Sequence, residues 1–174
     1  ALNFVAPALV ESVHRDYLAA GAELIETNTF GCNEVRLAPH DLADKVRLIA
    51  RQGVKVARGA REIVGVNAFV AGSIGPLGKP LEPFGHISVT EAERHFRATV
   101  EGLLEGGCDC LILETFQDLN EVLAALRAAR RVTLDLPIIA QMTYGQDGKT
   151  LYGHTPTLAV KALKQAGADV VGVN

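Results

Sequence analysis

Apolar residues follow two rhythms along this chain. In the first, Leu9, Val10, Val13, Tyr17 and Leu18 recur at the spacing of one helix face. In the second, short runs such as 110–113 and 170–173 are apolar without polar alternation, as in a strand whose sheet is covered on both sides. The rhythms take turns. Helices are predicted over 7–20, 33–61, 90–104, 119–130 and 155–166, and strands over 24–28, 66–72, 110–113, 138–142 and 170–173. Pro7 and Pro156 fit the first turns of their helices, Gly21 ends the first, and Thr155 caps the last. The second helix should break near Pro39-His40-Asp41, with Asp41 as N-cap of its second part, while Thr90 and Glu93 form a capping box for the third. A loop rich in Gly and Pro occupies 73–85.

Three units repeat one layout. Gly21-Ala22-Glu23 leads to Glu26-Thr27, Gly107-Cys108-Asp109 leads to Glu114-Thr115, and Gly167-Ala168-Asp169 leads to Asn174. In each, a helix stops at glycine, a strand follows, and a polar side chain stands at its carboxyl end. Strict alternation implies parallel strands with right-handed crossovers. The expected fold is α/β: a partial (β/α)8 TIM barrel of about five parallel strands, forming a single domain over residues 1–174. A complete barrel takes ~250 residues, and the leading helix lacks a strand of its own, so the chain is expected to be a piece of a longer protein. An open doubly wound sheet is the runner-up, disfavoured because no glycine-rich phosphate loop joins a first strand to a helix.

Composition narrows the partners. Net charge is −3, which offers nothing to nucleic acid or an anionic membrane, and no apolar run is long enough to span a bilayer. The three cysteines are an odd number in a chain of this size and point to a reducing, cytoplasmic setting rather than a disulfide framework. They also lack zinc-site spacing: Cys108 and Cys110 flank one residue at the end of a barrel opposite its mouth, and Cys32 is distant. Buried thiols acting as small apolar groups account for them. His14 should pack beside Tyr17, and His86 and His154 sit in mouth-side loops without a nucleophile to serve.

The chemistry concentrates at strand ends. Glu26 and Glu114 occupy equivalent points and would converge on one mouth, able to hold an ammonium group or a proton, or merely to form rim ion pairs. The loop Thr27-Asn28-Thr29-Phe30-Gly31 offers hydroxyls, an amide and an aromatic ring. At Ser73-Ile74-Gly75-Pro76, Gly75 would let a ligand approach the main chain and free N–H groups beside Ser73 could receive a carboxylate.

Taken in order, Asn3-Phe4, His14-Arg15-Asp16-Tyr17-Leu18, Glu26-Thr27-Asn28-Thr29-Phe30-Gly31, Gly72-Ser73-Ile74-Gly75-Pro76, Leu113-Glu114-Thr115-Phe116 and Gly172-Val173-Asn174 resemble the homocysteine S-methyltransferase family. The resemblance implies a zinc at the barrel mouth held by three cysteine thiolates, with homocysteine's sulfur joining as a thiolate nucleophile toward a methyl group. It implies that Glu114 holds the substrate ammonium and that Thr27, Asn28, Phe30, Ser73, Gly75 and Asn174 line the rest of the homocysteine site. Glu26 is a weaker correspondence. In that family the first zinc cysteine directly follows the Gly-Val-Asn matched here by Gly172-Val173-Asn174, so none of the ligands, and no catalytic residue, is expected within this chain. Taken alone it should be inactive. The resemblance leaves the methyl donor open among methylcobalamin, methyltetrahydrofolate, betaine and S-methylmethionine, with the first two as candidates, and is compatible with fusion to a cobalamin-binding or methylenetetrahydrofolate reductase domain. Two other readings stay open. One is another barrel enzyme, a lyase or pterin-binding methyltransferase with Glu26 and Glu114 as acid and base; the other is a non-catalytic remnant.

Overall fold

A computed structural model describes residues 2–174. The helices are α1 (Leu2–Val5), α2 (Pro7–Ala19), α3 (Glu34–Leu37), α4 (Val46–Val64), α5 (Val89–Gly106), α6 (Leu119–Val132) and α7 (Pro156–Gln165). The strands are β1 (Leu24–Glu26), β2 (Phe69–Ile74), β3 (Cys110–Phe116), β4 (Ile138–Met142) and β5 (Val170–Val173). All pair in parallel, in the spatial order β1-β2-β3-β4-β5. Right-handed crossovers in consecutive order place the helices that connect the strands on one face of the sheet. Accordingly α2, α4, α5 and α6 pack side by side. No reversal of strand order exists, so the doubly wound alternative is excluded. The sheet ends at β1 and β5 and is not a closed barrel.

Local chemistry differs from expectation at two helix starts. Asp41 does not cap α4. It lies in the left-handed region (φ 57°) and its N–H closes a 3₁₀ turn onto Ala38 O. Asp tolerates that conformation because its short polar side chain can bond locally, and α4 begins at Val46 without a side-chain cap. The third predicted helix starts earlier than Thr90: Ser88 is the N-cap, its Oγ accepting from the Glu91 N–H. Val89 is already helical, so the cap is displaced from Thr90 to Ser88.

The repeated Gly-x-Asp has a structural purpose. Asp109 Oδ2 accepts from the Val70 N–H (2.8 Å) and from Arg61 Nη1 (2.9 Å). Asp169 Oδ2 accepts from the Ile138 N–H (2.7 Å) and from Arg130. Each aspartate at the start of one strand therefore fastens the start of the preceding strand to the helix behind it. The Ile138 N–H, ahead of the Arg130 guanidinium, holds the Asp169 carboxyl below the usual carboxylate range. Cys108 and Cys110 are buried at this same end, and burial pushes the Cys108 thiol up to about 12.

The two faces of the sheet carry different residues. Leu111 and Leu113 of β3, Val70 and Ile74 of β2, and Ile138, Ala140 and Met142 of β4 join the large core under the helices. The alternate positions Ala71, Cys110, Ile112 and Ile139 make a thin apolar layer on the opposite face. By the two-residue period of a strand, Ser73 and Glu114 continue that inner layer toward the carboxyl ends of β2 and β3.

Candidate functional site

A cleft of about 710 Å³ opens at those carboxyl ends. Of the residues anticipated there, Glu114, Thr27, Asn28, Phe30 and Ser73 line it, together with Glu26; Gly75 and Asn174 do not. The opposite wall is apolar, from Leu9, Val10, Val13 and Tyr17 of α2. Neither His86 nor His154 reaches it.

Much of the polar loop after β1 is committed to the fold. The Ser73 N–H donates to Thr27 Oγ1 (3.0 Å), and Thr29 Oγ1 donates to Ser73 O (2.7 Å). Thr29's one proton is thereby used, so in the 2.6 Å contact between the two hydroxyls Thr27 donates. The result is a closed ring joining the end of β1 to that of β2. Asn28 is also engaged: its Nδ2 donates to Asn3 Oδ1, and Asn3 Nδ2 returns a bond to Asn28 O. The motif residue Asn3 thus acts as a buried brace.

The expectation of free N–H groups beside Ser73 is corrected by these bonds. Ser73's is taken by Thr27, and the Gly75 N–H donates to Phe30 O (3.0 Å). Gly75 does permit a close approach, but of Phe30 rather than of a ligand. A Cβ there would lie 2.4 Å from the Phe30 ring. Arg36 covers the same ring at 5.9 Å from its centroid and donates from Nε to Pro76 O.

What remains open toward the cleft is acidic. The Ser73 hydroxyl donates to Glu114 Oε1 at 2.6 Å, and Thr115 Oγ1 donates to Glu114 Oε2 at 3.3 Å. Glu26 stands beside this carboxylate, and burial, followed by its hydrogen bond and charge contact with Glu114, pushes the Glu26 carboxyl up to about 7. No lysine or arginine lines the cleft. Burial lowers the pKa of His14, which disfavours a positive charge there. Its Nε2 is buried without a hydrogen-bond partner. His14 lines the cleft along with Tyr17 and shares the buried face of α2 with Val10 and Leu18, four residues to either side, while Tyr17 is exposed. That i, i+4, i+8 pattern was the available signal for His14.

Thr115 has a left-handed backbone (φ 61°), a conformation that costs about 1–3 kcal/mol for a non-glycine residue. It sits where the β3–β4 register slips: Leu113 pairs with Ala140, yet Phe116 pairs with Met142. Asn174 Nδ2 donates to Thr115 Oγ1 at 2.9 Å. Asn174 is therefore linked to Glu114 through Thr115 and does not itself line the cleft.

Zinc does not fit the residues present. Among the described residues no group of three or more His, Cys, Asp or Glu could hold a metal ion. Cys32 is buried, its Sγ donates to Val46 O, and burial pushes its thiol up to about 12, the opposite of an available thiolate. Glu121, in a second cleft of about 240 Å³, is buried and accepts from the Leu77 N–H. Burial pushes its carboxyl up to about 7. Sequence reasoning did not single it out, since it reads as a surface residue of an amphipathic helix.

The family model for homocysteine S-methyltransferase matches residues 1–174. The chain belongs to the homocysteine S-methyltransferase family. Relatives include the methionine synthases of Mycobacterium tuberculosis, 35% identical over 180 residues, and Mycobacterium leprae, 34% identical. These alignments take in 99% of this chain but 15% of either relative. Among solved structures, the metallated form of the homocysteine methyltransferase MmuM from Escherichia coli superposes with a TM-score of 0.83 at 26% identity, over 99% of this chain and 65% of MmuM. Its oxidized form gives a TM-score of 0.85 at 24% identity. The five-stranded arrangement is thus the fold of this family's TIM barrels, present here without closure. No helix among the described residues is long and apolar enough to cross a membrane.

Proposed function

We propose that the intact protein transfers a methyl group to the thiolate of homocysteine, giving methionine, and that these 174 residues form, as one unit, the part that holds the amino acid. The charge of the cleft carries this reading. Two carboxylates, Glu26 and Glu114, face it with no lysine or arginine among the lining residues. Acids without a cationic partner in a half-buried site attract a cation, and an α-amino acid brings an ammonium group. Glu114, already oriented by Ser73 and Thr115, receives it. Glu26, which holds its proton near neutrality, keeps the empty site from carrying two charges. The apolar wall of α2 takes the methylenes, and Thr27, Asn28 and Phe30 shape the floor.

Family membership and the methionine synthase relatives supply the reaction class. The family's zinc activates the sulfur when bound, and its ligands would come from residues other than those described here. The methyl donor is one of methylcobalamin, methyltetrahydrofolate, betaine or S-methylmethionine; either of the first two would go with a further cobalamin-binding or methylenetetrahydrofolate reductase domain. A reducing, cytoplasmic setting suits three free cysteines. A lyase reading lacks a strand-end lysine: Lys79 and Lys149 are exposed in loops.

The test is methionine formation by the intact protein from homocysteine and methyltetrahydrofolate, methylcobalamin, betaine or S-methylmethionine. Activity with one donor, lost on chelation and restored by zinc, is expected. No metal-dependent methionine from any of the four would refute the proposal.

A further inference from the structure

The end of β3 breaks the alternation that governs the rest of the strand. Cys110 and Ile112 face the inner layer, and Leu111 and Leu113 the helix side. Continued alternation would put Glu114 inward, Thr115 toward the helices and Phe116 inward again. Phe116 instead is fully buried in the helix-side core, packed on Phe96 of α5 with ring centroids 5.9 Å apart. The extra residue between Leu113 and Phe116 makes this possible, since three steps on β3 match two on β4. Thr115 absorbs the slip with its positive φ. A β-branched residue is among the worst choices for that conformation, so backbone geometry alone does not account for threonine here. Its hydroxyl does two things glycine could not: it donates to Glu114 Oε2 and accepts from Asn174 Nδ2. Asn174 is fixed in turn, its N–H donating to Met142 O at 3.0 Å. Bonds therefore run from the end of β4 through Asn174 and Thr115 to Glu114.

We propose that Thr115 is a positioning residue for substrate recognition: its left-handed backbone and bridging hydroxyl aim the Glu114 carboxylate and tie it to the end of β5. The inference rests on the reading of Glu114 as the ammonium-holding group. Ser73 of β2 fixes one carboxylate oxygen and Thr115, the next residue of β3 itself, the other, with Thr115 held in turn by Asn174 after β5. Loss of the Thr115 hydroxyl frees one oxygen and leaves Asn174 Nδ2 without its acceptor, while the carboxylate and its charge remain. The defect should then appear only with a ligand that carries an ammonium.

The experiment is calorimetric titration of the intact, metal-loaded protein with homocysteine and with 4-mercaptobutyrate, which keeps the thiol and carboxylate but lacks the amino group. Thr115→Val should weaken homocysteine binding about tenfold, in line with loss of a hydrogen bond to a charged group, and change 4-mercaptobutyrate binding by less than about twofold. Thr115→Ser, which keeps the hydroxyl, should restore most of the loss, and Asn174→Ala should weaken homocysteine selectively by a smaller factor. Equal weakening of both ligands by Thr115→Val, or a serine variant no better than the valine variant, overturns the inference. Should Thr115→Val fail to fold, Asn174→Ala decides: selective weakening supports the relay and unchanged binding overturns it. Glu114→Gln separates the two levels. If it leaves the preference for homocysteine intact, the ammonium reading of Glu114 falls and this inference with it. If it abolishes the preference while Thr115→Val and Asn174→Ala do not, only the role of Thr115 falls.

Discussion

Burial is the leading reason that the Glu26 and Glu121 carboxyls are pushed up to about 7, joined at Glu26 by its hydrogen bond and charge contact with Glu114, yet the two serve different surroundings. Glu26 faces the acidic cleft beside Glu114, whereas Glu121 accepts the Leu77 N–H behind the 73–85 loop. A carboxyl whose value rises on folding binds its proton more tightly in the folded chain. Its contribution to stability is complete below the unfolded value near 4.5 and lost as pH rises through about 7. Urea unfolding of the intact protein between pH 5 and 8 should therefore show a midpoint that declines as pH rises. Glu26→Gln with Glu121→Gln should flatten that decline; a slope unchanged in the double variant would contradict these assignments. Sequence alone could mark Glu26 by its place at a strand end. Glu121 was not legible, because its burial depends on a loop more than thirty residues away folding over it. Nor could the sequence say that Thr27 and Thr29 spend their hydroxyls on Ser73, since that ring closes only once β1 and β2 are neighbours.

Among the elements, α4 and α5 pack tightly against each other, and glycine permits it. A Cβ at Gly102 would sit 2.4 Å from Arg47 O and 2.8 Å from Ala50 Cβ. Gly102→Ala should destabilise the protein by about 1–3 kcal/mol through overpacking against backbone that cannot yield, read as a lower urea midpoint with unchanged slope. A change below about 0.5 kcal/mol, the size expected of an inconsequential surface site, would show that the helices part without cost. Strand and helix order from Pro7 onward was readable, because Gly21, Gly107 and Gly167 end helices and unbroken apolar runs follow, whereas the short α1 is not predicted. The bulge in β3 was not: the apolar run predicts a strand that stops at Leu113, whereas β3 runs on through Glu114 and Thr115 to Phe116, and the register slip with Phe116's packing on Phe96 reveals the extra residue. The helix caps near Asp41 and Ser88 were misplaced for a similar reason, several polar residues in each segment being able to cap.

For the molecule as a whole, the open sheet is the dominant fact. β1 and β5 each present one unpaired edge, with Leu24, Val170 and Val173 exposed along them, and the α2 wall of the cleft leaves Leu9, Val13 and Tyr17 exposed. Unpaired parallel edges beside apolar surface invite association. The isolated 174-residue chain should therefore sediment as concentration-dependent oligomers, and a single monomeric boundary across a hundredfold concentration range, taken here as roughly the span needed to expose weak edge pairing, would contradict that. Family, fold and the acidic character of the mouth were all legible from ordered motifs in the chain. The division of labour within the mouth was not, since it depends on which polar groups the fold consumes and which it leaves facing the cleft. The account rests on Glu114 as the group that receives the ammonium of homocysteine. Titrating homocysteine into the intact protein and its Glu114→Gln variant tests this directly. Removal of a desolvated charge partner predicts a loss of affinity of about thirtyfold or more, whereas equal affinity in the two proteins would contradict the account.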